Sequence, residues 1–445
     1  MNNNNNGLKR YLAVGAFFYF LFFTFSFAAD ALTLKDSVGL ALKYNPSVLA
    51  SQKKLEAANA RLSQAVGAFF PTVQVNGSYT NAYTQPSALQ VTIGPTTETF
   101  LMGTNDTNTI KTIGASASQP LFVAALWPGM KIAQRGVDVA SEDLRRTVQG
   151  TSYNVAVAYY GLLSADKFVK VSADALDQAR SHRDQVSALL KNGVATRADL
   201  LRAEVQVANS EVALTKARNG DELAKDSFNN VLGRDIDTPA DLTGELSETV
   251  PALPEYKTLL AAAFANRPDW KQFTYGKQVA AENLSVAQTG YLPTLMLSGK
   301  IGDQIIDYTG YHSDVNSWSV TGAASWTLFD GLGLQNRIRE AGANLDAQTA
   351  TEEQIKDAIA LEVRAAYLDL KTGVETIDSS KKAVDFADES YKVSSLRFNS
   401  GVGTNLEVID AQVALTQAKT NYLSALFSLE VAKAKINNVV GQEVF

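Results

Sequence analysis

The chain contains an internal duplication, and this repeat constrains its fold more than any other feature of the sequence. Two early segments recur 222 positions later (268 − 46), and two later segments recur after 208 positions (401 − 193). Because the order is the same in both halves, the two halves are predicted to share one plan of helices and strands. The matches pair residues 44–48 with 266–270, 69–73 with 291–295, 193–196 with 401–404, and 229–233 with 437–441.

Each half also carries segments in which apolar and polar residues alternate, and this pattern predicts hairpins at about 72–122 and 294–329. Strands of roughly ten residues have the length of tilted strands that cross a bilayer. The alternative is the hairpin of an ordinary sandwich with one wet face. Ser and Thr on the polar faces, aromatic residues along the strands and an export signal favour the membrane.

The unequal spacings of the repeat place an insertion in the first half. This half has 14 extra residues (222 − 208), which must lie between Pro71 and Gly193. The stretch from Thr84 to Asn108 is rich in Thr, Asn and Pro, and this composition predicts an exposed loop. Because the loop caps the first hairpin, we expect it to be extracellular.

The N-terminal residues have the pattern of an export signal. Lys9 and Arg10 precede an apolar run at 11–25, and small residues follow it. This arrangement predicts a cleaved signal peptide at 1–28, with an uncleaved membrane anchor as the alternative. The chain has no cysteine, which excludes a lipid-anchored N-terminus.

The rest of the sequence is Ala-rich and indicates long helices that pack closely on two sides, as in coiled coils. No proline occurs between Pro128 and Pro239 or after Pro293. The predicted helices span about 34–66, 129–190, 196–231, 255–288, 333–399 and 404–439, and the two longest would be rods of about 90 Å. An acidic, proline-containing linker at 234–254 separates a first repeat at 29–233 from a second at 255–445. The fold class is α+β.

Four strands cannot close a membrane barrel on their own. The smallest common barrels have eight strands, and open sheet edges are not tolerated in lipid. The strand count therefore predicts an oligomer, and it leaves a dimer with eight strands and a trimer with twelve both open.

Composition argues against several classes of function. The 40 Lys and Arg residues against 46 Asp and Glu give a net charge of −6, which disfavours nucleic acid as a partner. Without cysteine there is no thiolate site. His182 and His312 are the two histidines of the chain, and both are predicted to be solvated. With no catalytic motif in the sequence, we expect no enzyme activity, no cofactor and no metal site.

In its repeated helix–hairpin–helix plan and in the matched stretches given above, the whole mature chain resembles the TolC-like outer membrane efflux proteins. The resemblance implies a homotrimer with a 12-stranded transmembrane β-barrel and a periplasmic α-barrel of long helices. It also implies a passive exit duct in the outer membrane, working with a periplasmic adaptor protein and an inner-membrane pump in efflux or type I secretion. The alternative function is a trimeric adhesin or structural stalk without a conducting lumen.

The resemblance also implies a constriction of the pore. Glu407 and Asp410 are three residues apart and share a helix face, and the matching acidic pair in the family points into the pore at the periplasmic tip. Three chains would form a carboxylate ring that favours cations. The alternative for Glu407 is a capping box with Thr404, and Thr196 with Asp199 is predicted to form the same device in the first half.

Tip closure is expected to differ from that of some family members. They tie the last helix pair to the residue matching Asp199 through a Tyr and an Arg, where this chain has Phe398 and Gly403. The resemblance further implies that the turns between helices receive the adaptor, whereas glycines that permit tight turns are the structural alternative. The turn residues concerned are Gly193, Val194, Ala195, Thr196, Gly401, Val402 and Thr404.

Overall fold

The structure, a computed structural model, describes residues 32–85, 87–102, 106–308 and 311–445. The predicted signal peptide at 1–28 lies outside these residues. In chain order the helices and strands are α1 (Leu34–Tyr44), α2 (Pro46–Gly67), β1 (Thr72–Thr84), β2 (Ser87–Ile93), β3 (Thr96–Met102), β4 (Asp106–Phe122), α3 (Leu126–Lys191), α4 (Arg197–Leu232), α5 (Tyr256–Asn266), α6 (Pro268–Gln288), β5 (Thr294–Tyr308), β6 (Tyr311–Ser325), α7 (Gly333–Asn399) and α8 (Asn405–Val440).

The two predicted rods are confirmed. Helix α3 has 66 residues and α7 has 67, so each is about 100 Å long. The predictions of single helices at 34–66 and 255–288 are wrong, because each helix breaks before a proline. Asn45 and Arg267 are extended, with ψ of 125° and 126°, as the residue before proline prefers.

The duplication extends to individual contacts at these breaks. Asn45 Nδ2 donates to the carbonyl of Val231 (2.9 Å), and Arg267 donates from its guanidinium to the carbonyl of Val439 (3.1 Å). Asn45 and Arg267 are 222 positions apart, and Val231 and Val439 are 208 apart, as in the sequence repeat. Both halves therefore tie the start of a shorter helix to the end of α4 or α8.

Four strands form one antiparallel sheet in the order β1-β4-β5-β6, in which the β4–β5 pair joins the two predicted hairpins. Val75, Ala115, Ile301 and Trp318 are paired across the strands and share one face. The adjacent row, on the opposite face, contains Gln74, Ser116, Lys300 and Ser319. The register thus confirms the predicted alternation of an apolar face with a polar face.

The inserted stretch differs from the prediction of an irregular loop. Strands β2 and β3 pair antiparallel and form a separate two-stranded sheet. Gly94, at φ +66°, turns the chain between them, and the hydroxyls of Thr92 and Thr97 are 3.0 Å apart across the pair. The stretch contains many β-branched residues, which favour strand, and this preference outweighs its loop-like composition.

The second hairpin is shorter than its predicted extent to residue 329. Strand β6 ends at Ser325. The indole N–H of Trp326 then donates to the carbonyl of Tyr291 (3.0 Å), and the chain turns toward α7 through Gly331 and Leu332, both at positive φ. Trp326 therefore marks the junction between sheet and helices rather than the strand itself.

The helical part is built around α3 and α8. Helix α3 packs along α4 and also on α8, while α8 packs along α7, so α4 and α7 lie on the two flanks. The largest apolar side chains of the core include Tyr159, Phe228, Val363, Leu370, Leu429 and Ile436. Among the helices of the described residues, none carries an apolar stretch long enough to cross a lipid bilayer.

Candidate functional site at the turns between long helices

Two turns join the long helices into pairs. The first turn (192–196) connects α3 to α4, and the second turn (400–404) connects α7 to α8. Gly193 at φ +74° and Gly401 at φ +77° adopt the left-handed conformation, which glycine adopts without a steric penalty. The two turns therefore reverse the chain by the same device, as the repeat predicts.

The apex of each turn exposes an apolar side chain. Val194 is 68% exposed in the first turn and Val402 is 69% exposed in the second. The resemblance implies contact with a partner protein at these turns, and both side chains are accessible in the single chain.

The helices that follow the turns are capped differently. Thr196 and Asp199 form a complete capping box, in which each side chain accepts the other's backbone N–H at 3.1 Å. At the start of α8, Thr404 Oγ1 accepts from the Glu407 N–H (3.2 Å), but the Glu407 carboxylate lies 3.6 Å from Arg397 Nε. The alternative of a capping box for Glu407 is therefore met only in its Thr404 half, because the carboxylate lies beside Arg397 of α7.

The acidic residues near the turns have different environments. Hydrogen bonds from the hydroxyl and the backbone N–H of Thr196 lower the pKa of Asp199. The side chain of Glu407 is 44% exposed, and Asp410, one helical turn further along α8, is exposed. Asp410 and Glu407 thus remain open to solvent in the single chain, whereas Asp199 is held by its own helix end.

Gly403 and Phe398, which stand where some family members have Arg and Tyr, are both packed against neighbours. A Cβ atom on Gly403 would lie 2.9 Å from the backbone nitrogen of Phe398 and 3.0 Å from the carbonyl carbon of Arg397. The ring of Phe398 meets the ring of His182 edge to face, with centroids 5.2 Å apart. The second turn is therefore tight, and Phe398 joins α7 to α3 through an aromatic contact.

His182 is buried, which corrects the prediction of a solvated histidine. Only 4% of the residue is exposed, and its Nε2 lies 2.7 Å from Asn405 Oδ1. Burial lowers its pKa, against the opposing effect of the hydrogen bond with Asn405. His312 is exposed, as predicted, and lies in β6 beside Asp307.

Asn405, which sequence reasoning missed, connects three helices. It is 3% exposed, and its Nδ2 donates to the carbonyl of Asp199 in α4 (3.1 Å) while its Oδ1 faces His182 of α3. Two turns further along α8, the buried Gln412 donates to the carbonyl of Ala175 in α3 (2.8 Å). These two amides are buried polar links between α8 and the first helix pair.

A sequence signal for these amides exists in the helical spacing. Asn405, Val408, Gln412 and Leu415 recur at intervals of three and four, the spacing of the buried positions of packed helices. All four are buried. Polar residues in such a series are therefore candidates for buried hydrogen bonds between helices.

Comparison with known proteins places this architecture in a family. The model of the outer membrane efflux protein family matches residues 38–234 and 259–442, which are the two repeated halves. The chain is 21% identical to the outer membrane protein TolC of Escherichia coli, over 94% of this chain and 84% of TolC. It is 23% identical to the protein CyaE of Bordetella pertussis, over 88% of this chain and 81% of CyaE.

Solved structures show the same fold. The outer-membrane channel OprN superimposes with a TM-score of 0.77 at 21% identity, covering 92% of this chain and 89% of OprN. The long paired helices and the four-stranded sheet are thus the fold of such channels. Because the family model covers both halves, the chain belongs to the outer membrane efflux protein family, and it is an outer-membrane channel protein for efflux or secretion.

Proposed function

We propose that this protein is the passive outer-membrane exit duct of a tripartite efflux or type I secretion system. One observation carries the proposal: a four-stranded sheet with one apolar face continues into helices about 100 Å long. The sheet supplies a surface for lipid, and the helices supply a periplasmic extension. In this proposal the protein conducts substrate and performs no chemical step of its own.

The open edges of the sheet support a ring of several chains. Within the described residues, β1 and β6 are each paired on one side only. Unpaired backbone groups are costly in lipid, so copies must meet edge to edge. We propose a homotrimer, in which four strands from each chain form a 12-stranded barrel.

The flanks of the helical part support the same ring. Helices α4 and α7 carry exposed large apolar side chains at helical spacing on the flanks of the chain, where neighbouring copies would cover them. These side chains are Leu201, Val205 and Val212 on α4, and Phe386, Val393 and Leu396 on α7.

The turns are the proposed site of contact with a periplasmic adaptor protein, which connects the duct to an inner-membrane pump. Val194 and Val402 supply exposed apolar surface there. Glu407 and Asp410 are exposed on the first turns of α8, and three copies of this pair would form a carboxylate ring at the narrow end of the duct. Such a ring would favour cations over anions.

Cross-linking between sheet edges tests the ring directly. The chain has no cysteine, so Gln74→Cys in β1 is combined in turn with Ser317→Cys, Ser319→Cys or Thr321→Cys in β6. We expect oxidation of one pair to give species of two and three linked chains and none larger, whereas Gln74→Cys alone gives no three-chain species. Covalent species that stop at two chains, or a folded monomer, would contradict the trimer.

Conductance separates the duct from the alternative of a trimeric stalk without a lumen. Purified protein in planar bilayers is expected to give discrete, cation-preferring current steps. A stable trimer that gives no current would favour the stalk.

A further inference from the structure

The buried contacts near the turns restrict how the two helix pairs can move. To separate the second pair (α7 and α8) from the first pair (α3 and α4) at this end, Asn405 must lose its hydrogen bonds to His182 and to the Asp199 carbonyl. Phe398 must also leave the ring of His182. These contacts lie at the turn end of the rods, where a small rotation of one pair produces the largest displacement.

We propose that His182, Asn405 and the Asp199 carbonyl form a latch that holds the two helix pairs together at the turns, and that protonation of His182 releases it. The latch rests on the proposed function, because it would control the width of the duct at this end. It uses contacts inside one chain, so each chain would carry its own latch.

The hydrogen-bond pattern defines which tautomer and protonation state of His182 fits the latch. Because Asn405 Nδ2 donates to the Asp199 carbonyl, Asn405 Oδ1 is the acceptor, and His182 Nε2 must donate. The neutral ring with its proton on Nε2 satisfies this contact. A second proton, on Nδ1, leaves the hydrogen bond intact but places a positive charge in a buried site beside the ring of Phe398.

The charged groups on the packed helices have their own partners or face solvent. On α3, Arg183 pairs with Asp184 (2.7 Å). On α4, the carboxylate of Asp199 accepts from Thr196 (2.6 Å) and also interacts with the side chain of Asn405. Other charged side chains near the turns are exposed to solvent, namely Lys191 on α3, Arg197 and Arg202 on α4, Arg397 on α7, and Glu407 and Asp410 on α8.

The sign of the pH dependence follows from burial. Burial lowers the pKa of His182 below its ordinary value of 6.5. A released, solvated His182 titrates near that ordinary value, so the latched state is fully favoured above about pH 6.5. As the pH falls below 6.5, His182 is protonated in the released state but still neutral in the latched state, so the equilibrium shifts toward release. This shift ends when the pH reaches the lower pKa of the buried ring.

The first test removes the Asn405 amide from the latch at constant pH. Asn405→Ala is expected to raise the open probability of single channels at pH 8 by roughly tenfold, the effect of losing about one net hydrogen bond. Asn421→Ala, which removes an exposed amide on the same helix, is the matched control and should leave the channel unchanged. If wild-type protein conducts but Asn405→Ala does not alter its open probability, the latch is refuted and the duct stands.

The second test removes the titrating ring. His182→Gln retains a neutral donor, so its open probability should not increase between pH 8 and pH 5.5 in the way that the wild type does. His312→Gln, which removes the other histidine, should keep the wild-type response. An identical pH response in His182→Gln and the wild type would refute release by protonation.

Hydrogen exchange provides a readout that does not depend on conduction. In the wild type, amides in the first turns of α8 should exchange faster at pH 5.5 than at pH 8 after correction for intrinsic rates, and in His182→Gln they should not. If no variant conducts, the duct itself is refuted and the gating role with it. If current is present but exchange at α8 is independent of pH, only the protonation step is refuted.

Discussion

Replacing Gly403 by alanine should disrupt the second turn, although the equivalent position of the first turn is an alanine. The repeat spacing of 208 pairs Gly403 with Ala195. The Ala195 N–H lies 3.3 Å from the carbonyl of Leu189, whereas the Gly403 N–H lies 3.0 Å from the carbonyl of Arg397. The second turn is therefore drawn more tightly onto its helix and has less room for a Cβ atom.

The size of the destabilisation in Gly403→Ala follows from the contacts that the new Cβ atom would make. A Cβ atom on Gly403 would lie 2.9 to 3.0 Å from three atoms of Arg397 and Phe398, of which two belong to the backbone. Relief requires the turn to move by a few tenths of an ångström, and overpacking of this kind costs about 1–3 kcal/mol. That range corresponds to an increase of about 5-fold to 150-fold in local opening.

Hydrogen exchange at individual amides measures this effect. In Gly403→Ala, the amides of residues 402 and 403, which both donate to the Arg397 carbonyl, should exchange faster by that factor. Gly39→Ala, in the middle of α1 with open space around it, is the matched control. It should stabilise its own helix by about 1 kcal/mol and leave the second turn unchanged.

Exchange at the wild-type rate at these two amides in Gly403→Ala would show that the second turn has room for a Cβ atom. Gly403→Arg, which introduces a larger side chain at the same position, should increase exchange at least as much. Slower exchange in that variant would show that the turn accepts a side chain and that its tightness is not a packing constraint.

Three further predictions concern the constriction, the repeat contacts and the inserted hairpin. Asp410→Asn should weaken both cation selectivity and block by multivalent cations in planar bilayers. The Glu407 carboxylate is half-exposed beside an arginine, so Glu407→Gln should lower stability by at most about 0.5 kcal/mol and change selectivity less. Equal cation selectivity in both variants and the wild type would exclude the carboxylate ring. Arg267→Ala should lower stability by about 2–3 kcal/mol, because it removes hydrogen bonds to Asp269, Glu362 and the Val439 carbonyl. Asn45→Ala should lower stability by only about 1 kcal/mol, and equal shifts of the thermal unfolding temperature, followed by circular dichroism, would contradict this difference. Thr97→Cys, in the exposed β2–β3 hairpin, should react with an impermeant thiol reagent in intact cells, and reaction only after lysis would reverse the proposed topology.

Much of the fold could be predicted because it depends on periodic patterns. Helix α7 occupies the predicted residues 333–399, since a long stretch without proline leaves helix as the regular option. The breaks before Pro46 and Pro268 could also have been predicted, because proline restricts the residue before it. The β2–β3 hairpin was missed because turn-forming and β-branched residues are mixed in the same stretch.

The candidate site was only partly predictable, for a different reason. The glycines and threonines of the turns have local roles that a sequence pattern reveals. The link through His182 and Asn405 joins residues 223 positions apart, and nothing local identifies either as the other's partner. Glu407 shows the same limit, because its choice between Thr404 and Arg397 depends on how two helices pack.

The order of the strands has a consequence for how many copies a ring contains. Direction alternates in the order β1-β4-β5-β6, so β1 and β6 run in opposite directions. When β6 of one copy meets β1 of the next, the seam is antiparallel whatever the number of copies. Strand polarity therefore selects no stoichiometry, and the faces of α4 and α7 must set the angle between neighbours. Among proteins with this strand order, substitutions on α4 and α7 alone could change the number of subunits, while the strands that contact lipid stay the same.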